Sequence, residues 1–420
     1  MERPVLRRTL GLVDAIAIGL GAIIGAGVFV AIGPAVDVAG SFALISMLIA
    51  GVVALFNSLS SAQLAAAYPV SGGTYAYGRA VVNDATGFIS GWIFVIAAIA
   101  ADSAIALAFS TYLDFLFPAV PARAIAVALV VIATALNYIG LRYSAAVNNV
   151  LSILKVAALL LFIVIGAFFV STARLRPAGP PSGAGILDAA AIIFFAYTGY
   201  ARIATLGEEV RDPARTIPRA ILIALGISAA LYVGALVVTL GIVGARGLAG
   251  SDAPLSVAAR ATESTAMLYI VSLGALLSTS TVLLTDLLGI SRVVFAMARN
   301  RDLPYALSAV NPSSGSPHRA VLVTGLIVAV LTALLPLRRL VEAGSFGLLV
   351  YYGITNLAAY LLPDDKRRYD RIWAVMGFVS CLTLALFLPW RTTGLGLLVI
   401  LAGLVYFCAI RRWHHRHMVS

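Results

Sequence analysis

A run of glycines near the N-terminus has the composition of an interrupted helix. Gly19, Gly21, Gly25 and Gly27 lie within an otherwise apolar segment, and each weakens a helix by roughly 1 kcal/mol relative to alanine. Amides freed in an apolar environment need a polar ligand or a wet cavity. At the start of a helix they could bind a carboxylate, helped by the helix dipole. The glycines could instead form a small-residue packing face.

In another apolar segment, a single glycine, Gly199, lies among the aromatic residues Phe195, Tyr197 and Tyr200. An unwound turn at this glycine would present backbone carbonyls to an ammonium group and aromatic rings that occlude a ligand. The same rings could instead form a packing seam between helices. The two glycine-containing segments together would suit a ligand that carries both charges.

Lys155 is a cation inside the apolar stretch 153–161. It lies about eight residues inside its predicted helix, or ~12 Å deep. An ionised side chain at that depth costs at least ~2.5 kcal/mol unless it is paired. Because burial favours the neutral form of a lysine, Lys155 is a candidate proton carrier. A permanently charged strut, bonded to helix carbonyls, is the alternative.

These groups must be positioned by membrane-spanning helices. Of the 420 residues, 61% are hydrophobic and 11% are charged, with a mean hydropathy of +1.01, whereas soluble domains carry about 25% charged residues. A membrane helix needs ~20 mostly apolar residues. The predicted spans 1 to 12 are 13–34, 42–67, 85–117, 124–141, 147–170, 186–206, 220–243, 266–298, 320–336, 341–362, 372–388 and 394–410.

The positive charge is concentrated on one side of these spans. Eighteen of the 29 lysines and arginines fall in loops on the side of the N-terminus and eight on the other side. Basic loops stay inside, so we expect a multi-pass cell-membrane protein with both termini cytoplasmic. This distribution explains the net charge of +11 without nucleic acid. The histidines lie outside the spans, which excludes an intramembrane metal site built on histidine.

The intramembrane ionisable residues exclude two other classes. A channel needs a continuous polar lining, and an enzyme needs a paired acid and base or a metal cluster. The candidates are scattered along the chain and form neither pattern: Asp102, Lys155, Arg202, Asp286 and Arg292. Cys381 and Cys408 lie in separate apolar runs and indicate apolar filler rather than a disulfide.

Four loop segments add to the two glycine-containing ones. They read Tyr-Pro-Val-Ser-Gly-Gly-Thr-Tyr-Ala-Tyr at 68–77, Glu-Glu-Val-Arg-Asp-Pro-Ala-Arg-Thr-Ile-Pro-Arg at 208–219, Ala-Met-Ala-Arg-Asn-Arg-Asp-Leu-Pro at 296–304 and Ser-Pro-His-Arg-Ala at 316–320. In this order, they make the chain resemble the amino acid–polyamine–organocation superfamily, in its amino acid permease branch, over nearly its whole length.

The resemblance implies an all-α integral membrane protein with 12 transmembrane helices and the LeuT-type 5+5 inverted repeat, in which helices 1 and 6 are discontinuous. The expected units are residues 1–171, 172–363 and the peripheral segment 364–420. The implied function is secondary active transport of an amino acid, without a cofactor. Two mid-membrane glycine breaks, each opening a run of five spans, agree with such a repeat.

The resemblance also assigns site residues. The substrate carboxylate is expected at the amides of Gly25, Ala26 and Gly27, and its ammonium group at carbonyls of Ile23, Phe195 and Thr198. Phe195 and Tyr200 are expected to gate the site. The full expected substrate site is Ile23, Gly25, Ala26, Gly27, Phe195, Tyr197, Thr198 and Gly199.

Lys155 resembles the helix 5 lysine of sodium-independent, proton-coupled members. The resemblance implies contacts of its ammonium group with the carbonyl of Gly21 and with hydroxyls from Ser278 to Thr281. Its deprotonation would loosen the contact between helices 1 and 5. Exchangers with a fixed charge at this place remain an alternative.

One position departs from the family pattern. Many relatives carry an acid after the helix 6 glycine, where this chain has Ala201 followed by Arg202. Arg202 is expected to pair with Asp102 or Asp286. Glu208 and Glu209 either cap the inner end of helix 6 or lie in a solvated loop.

Two alternative functions remain: a nutrient sensor of the same fold that binds without transporting, and an amine or polyamine exchanger. Sensors usually carry long cytosolic extensions, of which this sequence has almost none, so we expect a transporter. A substrate without a carboxylate would leave the helix 1 amides unused, and the pocket segments carry no acid for a cationic side chain. We therefore expect small neutral or hydrophobic amino acids.

Overall fold

The structure, a computed structural model, describes residues 10–25, 27–68, 73–118, 121–140, 145–177, 179–180, 182–204, 210–311 and 315–418. Within these residues the regular secondary structure of the chain is helical, apart from one isolated bridge between Leu10 and Val210. Its α-helices are α1 (Leu12–Ile23), α2 (Gly27–Ala39), α3 (Ala43–Ala67), α4 (Gly73–Tyr77), α5 (Asp84–Leu116), α6 (Ala122–Tyr138), α7 (Ala145–Ala167), α8 (Thr172–Leu175), α9 (Gly183–Tyr197), α10 (Ala201–Ala204), α11 (Pro213–Leu248), α12 (Pro254–Arg260), α13 (Thr265–Arg299), α14 (His318–Leu334), α15 (Leu337–Tyr360), α16 (Arg371–Phe387) and α17 (Trp390–Met418).

Seven helical stretches of the described chain are long and apolar enough to cross a membrane. They are Gly27–Ala67, Asp84–Leu116, Val147–Ala167, Gly183–Ala204, Pro213–Leu248, Thr265–Arg299 and Trp390–Arg412. Four shorter apolar helices accompany them, at Leu12–Ile23, Ala122–Tyr138, His318–Leu334 and Arg371–Phe387. The predicted membrane character therefore holds, while the number of twelve spans stays a prediction.

Two glycines with positive φ lie where the chain changes direction. Gly40, with φ of +56°, begins the short 3-10 turn Gly40–Phe42 between α2 and α3. Gly244, with φ of +71°, kinks α11 close to the predicted end of span 7. Positive φ is inexpensive only for glycine.

The helices pack around a central group that contains both glycine-rich segments. α1 packs against α7 and α11, α2 packs against α9, and α5 packs against α13 and α15. On the outside, apolar side chains remain open to the surroundings, among them Leu326 on α14, Leu386 on α16 and Leu395 on α17, each more than 60% exposed. Such a surface suits lipid rather than water.

Candidate functional site

The first span is interrupted at its glycines. α1 ends at Ile23, and the Ile24 amide still donates to Leu20 O at 2.7 Å. Ile24 and Gly25 bend out of the helix, Ala26 lies outside the described residues, and α2 begins at Gly27. A helix end leaves its last four carbonyls and a helix start its first four amides without intrahelical partners. Carbonyls and amides without intrahelical partners therefore occur within a few residues of each other.

The second glycine segment is interrupted as well. α9 ends at Tyr197, a 3-10 turn covers Thr198–Tyr200, and α10 continues from Ala201 to Ala204. The Thr198 hydroxyl donates to Phe195 O at 3.0 Å, which stabilises the turn. Residues 205–209, which include the predicted caps Glu208 and Glu209, lie outside the described residues.

The two interruptions are packed backbone against backbone. A Cβ added at Gly199 would lie 2.5 Å from the Ile23 nitrogen and closer still to the Ala22 carbonyl. A Cβ added at Gly27 would lie 2.8 Å from the Cβ of Ala196 and closer to its Cα. Gly27 and Gly199 therefore serve close helix packing, which for Gly27 was one of the two sequence interpretations. These close contacts are made at Cα positions and not at N–H groups. A ligand role of the α2 amides is therefore compatible with them.

The carbonyls at the interruptions accept hydrogen bonds from side chains of three other helices. The Tyr232 hydroxyl of α11 lies between Ile23 O and Ala196 O, the latter at 3.1 Å. The Ser278 hydroxyl of α13 donates to Ile24 O at 3.1 Å. The Tyr352 hydroxyl of α15 donates to Thr198 O at 2.8 Å.

Sequence reasoning missed Tyr232 and Tyr352. A usable signal was present, since a tyrosine inside an apolar span needs a partner for its hydroxyl. That signal does not name the partner, which lies on another helix in both cases.

Lys155 lies on α7 and is 3% exposed. Its Nζ donates to Gly21 O at 3.4 Å, so the structure brings together Lys155 and Gly21 as the resemblance implied. The α13 hydroxyls behave differently from each other. Ser278 reaches Ile24 O, whereas the Thr281 hydroxyl donates to Leu277 O at 2.7 Å within its own helix.

The aromatic side chains at the second interruption are buried. The Tyr197 hydroxyl donates to Met47 O of α3 at 3.4 Å, and its ring lies 5.2 Å from that of Tyr232. The ring of Tyr200 lies 5.2 Å from that of Tyr352. Tyr197 and Tyr200 thus take part in a packing seam in this conformation. Phe195 is 6% exposed and faces α15, where a Cβ added at Gly344 would lie 3.6 Å from its ring.

Two acids near the centre differ in their partners. Arg202 of α10 forms an ion pair with Asp286 of α13, which was one of the two expected pairings. Asp102 of α5 is fully buried, and neither of its carboxylate oxygens has a hydrogen-bond partner among the described residues. An ionised carboxylate in such a place is costly.

Two of the loop motifs meet each other. Tyr75 of α4, from the segment 68–77, donates to Asp302 at 2.7 Å and accepts from Asn300 at 2.8 Å. Arg79 completes this cluster, with its guanidinium 2.9 Å from Asp302. Asp302 is 5% exposed, and burial raises its pKa above the ordinary value despite the hydrogen bond from Tyr75 and the charge of Arg79.

The site thus consists of two packed interruptions with a buried lysine beside the first. A comparison with known families agrees with the resemblance over nearly the whole chain. The family model described as amino acid permease matches residues 14–412. The chain belongs to the amino acid permease family. The resemblance drawn from the sequence motifs is thereby confirmed.

Several transporters are similar to this chain over most of their length. An uncharacterized transporter of Mycobacterium tuberculosis is 45% identical over 97% of this chain and 92% of its own. The branched-chain amino acid permease of Bacillus subtilis is 32% identical over 98% of this chain and 94% of its own. The methylthioribose transporter of Bacillus subtilis is 30% identical over 87% of this chain and 84% of its own. The family and these relatives are transporters and not enzymes.

Proposed function

We propose that the protein is a secondary active transporter of small neutral or hydrophobic amino acids, coupled to protons and independent of sodium. The observation that carries the proposal is the pair of interruptions at Ile24–Gly25 and Thr198–Tyr200, packed on each other. They bring the amide-bearing start of α2 next to the carbonyl-bearing ends of α1 and α9. Opposite partial charges at one place suit a zwitterion.

The substrate class draws on the same geometry and on a relative. The carboxylate would bind the amides of Gly25, Ala26 and Gly27, and the ammonium group the carbonyls of Ile23, Phe195 and Thr198. The branched-chain amino acid permease of Bacillus subtilis aligns with 98% of this chain, which favours an aliphatic side chain.

Proton coupling is assigned to Lys155. Its ammonium group contacts the carbonyl of Gly21 in the last turns of α1, so loss of its proton would weaken the contact between α7 and α1. Since α1 carries one edge of the proposed site, this change would couple the proton to alternating access between the two sides. Phe195 and Tyr200 would then gate the site.

The architecture proposed with this function has twelve spans of the LeuT type, with both termini cytoplasmic in the cell membrane. Its units are residues 1–171, 172–363 and 364–420, and each of the first two has its interruption in its first span. Two such units of opposite orientation would place the interruptions together near the midplane.

Uptake of radiolabelled leucine into proteoliposomes tests the proposal, with and without an inward proton gradient. We expect wild-type uptake to rise with the gradient and not with sodium, and Lys155→Ala to lose the response to the gradient. Lys366→Ala is the matched control, because Lys366 is exposed and lies over the ring of Tyr68 at 4.8 Å. Uptake that ignores the proton gradient and requires sodium would refute proton coupling, and uptake that depends on amino acid inside the vesicles would indicate an exchanger. Binding without uptake would indicate a sensor.

A further inference from the structure

Tyr232 occupies the place where the carbonyl ends of the two interruptions converge. It lies on α11, outside both glycine segments, and it is fully buried. Its hydroxyl contacts Ile23 O at the end of α1 and Ala196 O near the end of α9. These carbonyls belong to different helices, and the single hydroxyl joins them.

The hydrogen-bonding capacity of this arrangement is unbalanced. A phenol hydroxyl has one proton to donate, whereas two carbonyls point to it. Both carbonyls lie within the last four residues of their helices, where intrahelical donors are missing. An ammonium group brings three donors and could satisfy both carbonyls at once.

The electrostatics of the same place favour a cation over a phenol. The C-terminal end of a helix carries a partial negative charge, and the ends of α1 and α9 meet at Tyr232. A hydrogen bond from a charged donor is roughly twice as strong as one between neutral groups. The neutral hydroxyl is therefore the weaker of the two possible partners for these carbonyls.

We propose that the Tyr232 hydroxyl stands in for the substrate's ammonium group: it satisfies Ile23 O and Ala196 O in the empty transporter and is displaced when the amino acid enters. The inference rests on the proposed function, which assigns Ile23 O to the ammonium group. It adds a competing side chain to that site. The hydroxyl would lower the affinity for substrate, and in return it would keep the two carbonyls satisfied during the return of the empty protein.

The alternative role for Tyr232 predicts the opposite change in substrate affinity when the hydroxyl is removed. A hydroxyl that stays bonded in the occupied protein would hold the carbonyls in position for the substrate, and its removal would weaken binding. Competition and positioning are therefore separated by the direction of one affinity change.

Equilibrium binding of leucine to the purified full-length protein, measured by calorimetry, makes the test with Tyr232→Phe. We expect the variant to bind leucine more tightly than wild type by roughly three- to tenfold, the size of one net hydrogen bond. The matched control is Tyr112→Phe. Tyr112 is also fully buried, but its hydroxyl donates to Phe29 O, inside α2, at 3.0 Å; this control should leave the affinity unchanged.

A second ligand makes the test specific for the ammonium group. 4-Methylpentanoate, which is leucine without its amino group, should show no gain from Tyr232→Phe. Equal or weaker binding of leucine by the variant overturns the inference while leaving the proposed function intact. Failure of wild type to bind any of the common amino acids overturns both. If Tyr232→Phe does not yield folded protein, Tyr232→Met replaces it, because the flexible methionine side chain fills the space without a donor.

Discussion

Gly199 and Ile23 are so close that no side chain fits between them: a Cβ on Gly199 would lie 2.5 Å from the backbone nitrogen of Ile23. The neighbouring atoms on that side belong to the backbone of α1 and cannot rotate away as a side chain can. The two interruptions are consequently held at a distance that depends on the absence of a single methyl group.

Gly199→Ala should therefore impair uptake severely. The added methyl group has to separate α1 from the 3-10 turn, and a displacement of about 1 Å at a site of this kind costs roughly tenfold to a hundredfold in rate. Uptake in proteoliposomes, normalised to reconstituted protein, measures the effect. Gly226→Ala is the control, since nothing lies within 4 Å of an added Cβ there and alanine favours the helix. Full activity of Gly199→Ala would show that the close contact is not needed during transport.

The positions of the interruptions were accessible from the sequence. Clustered glycines weaken a helix whatever surrounds it, so Gly25 and Gly199 marked both places. Lys155 was accessible as well, because a cation in an apolar run must find a partner. The carbonyl donors Tyr232 and Tyr352 were not, since their partners depend on how the helices are rotated against one another.

The helix boundaries were also only partly predictable from the sequence. The sequence places one span at 13–34 and the next at 42–67, whereas the structure continues the second half of the first span through a 3-10 turn into the next, as Gly27–Ala67. Apolar composition does not locate a change of direction, and the turn at Gly40 depends on one φ value. The ion pair of Arg202 with Asp286 also depends on the packing of α10 against its neighbours.

The Arg202–Asp286 ion pair should show strong coupling in a double-mutant cycle. Their side chains are 32% and 29% exposed, so removal of either partner deprives a partly buried charge of this ion pair. We expect Arg202→Met and Asp286→Leu each to lower the unfolding temperature in detergent. The double variant should lose less than the sum of the two, with a coupling energy of roughly 0.5–3 kcal/mol. Additive losses would indicate that the pair contributes nothing to stability.

Asp302 should give the protein a pH-dependent stability of predictable sign. Burial raises its pKa in the folded protein, so the folded state holds this proton more tightly than the unfolded chain. Its contribution to stability is then lost as the pH rises from the ordinary aspartate pKa of about 3.9 through the raised folded value. Asp302→Asn cannot lose a proton, and its unfolding temperature relative to wild type should increase between pH 4 and pH 7. A relative decrease over this range would contradict the assignment and point to the Arg79 ion pair as the dominant effect.

Asp102 should prove costly for stability and necessary for transport. Both carboxylate oxygens are buried without a hydrogen-bond partner among the described residues, and an unsatisfied buried group costs about 1–3 kcal/mol. Asp102→Ala should thus leave the unfolding temperature unchanged or raise it, while uptake falls, because an intramembrane acid of this cost indicates a functional role.

The adjacent residue supplies the control for Asp102. The Ser103 hydroxyl is equally buried but satisfied, since it donates to Ile99 O at 2.8 Å and contacts Val328 O at 3.2 Å. Ser103→Ala should lower stability by about 1 kcal/mol and leave uptake near the wild-type level. The two neighbours would then differ in both measurements, since only Asp102→Ala impairs uptake and only Ser103→Ala lowers stability. If Asp102→Ala is destabilised and still transports at the wild-type rate, Asp102 is a structural residue and the proposed role in transport is wrong.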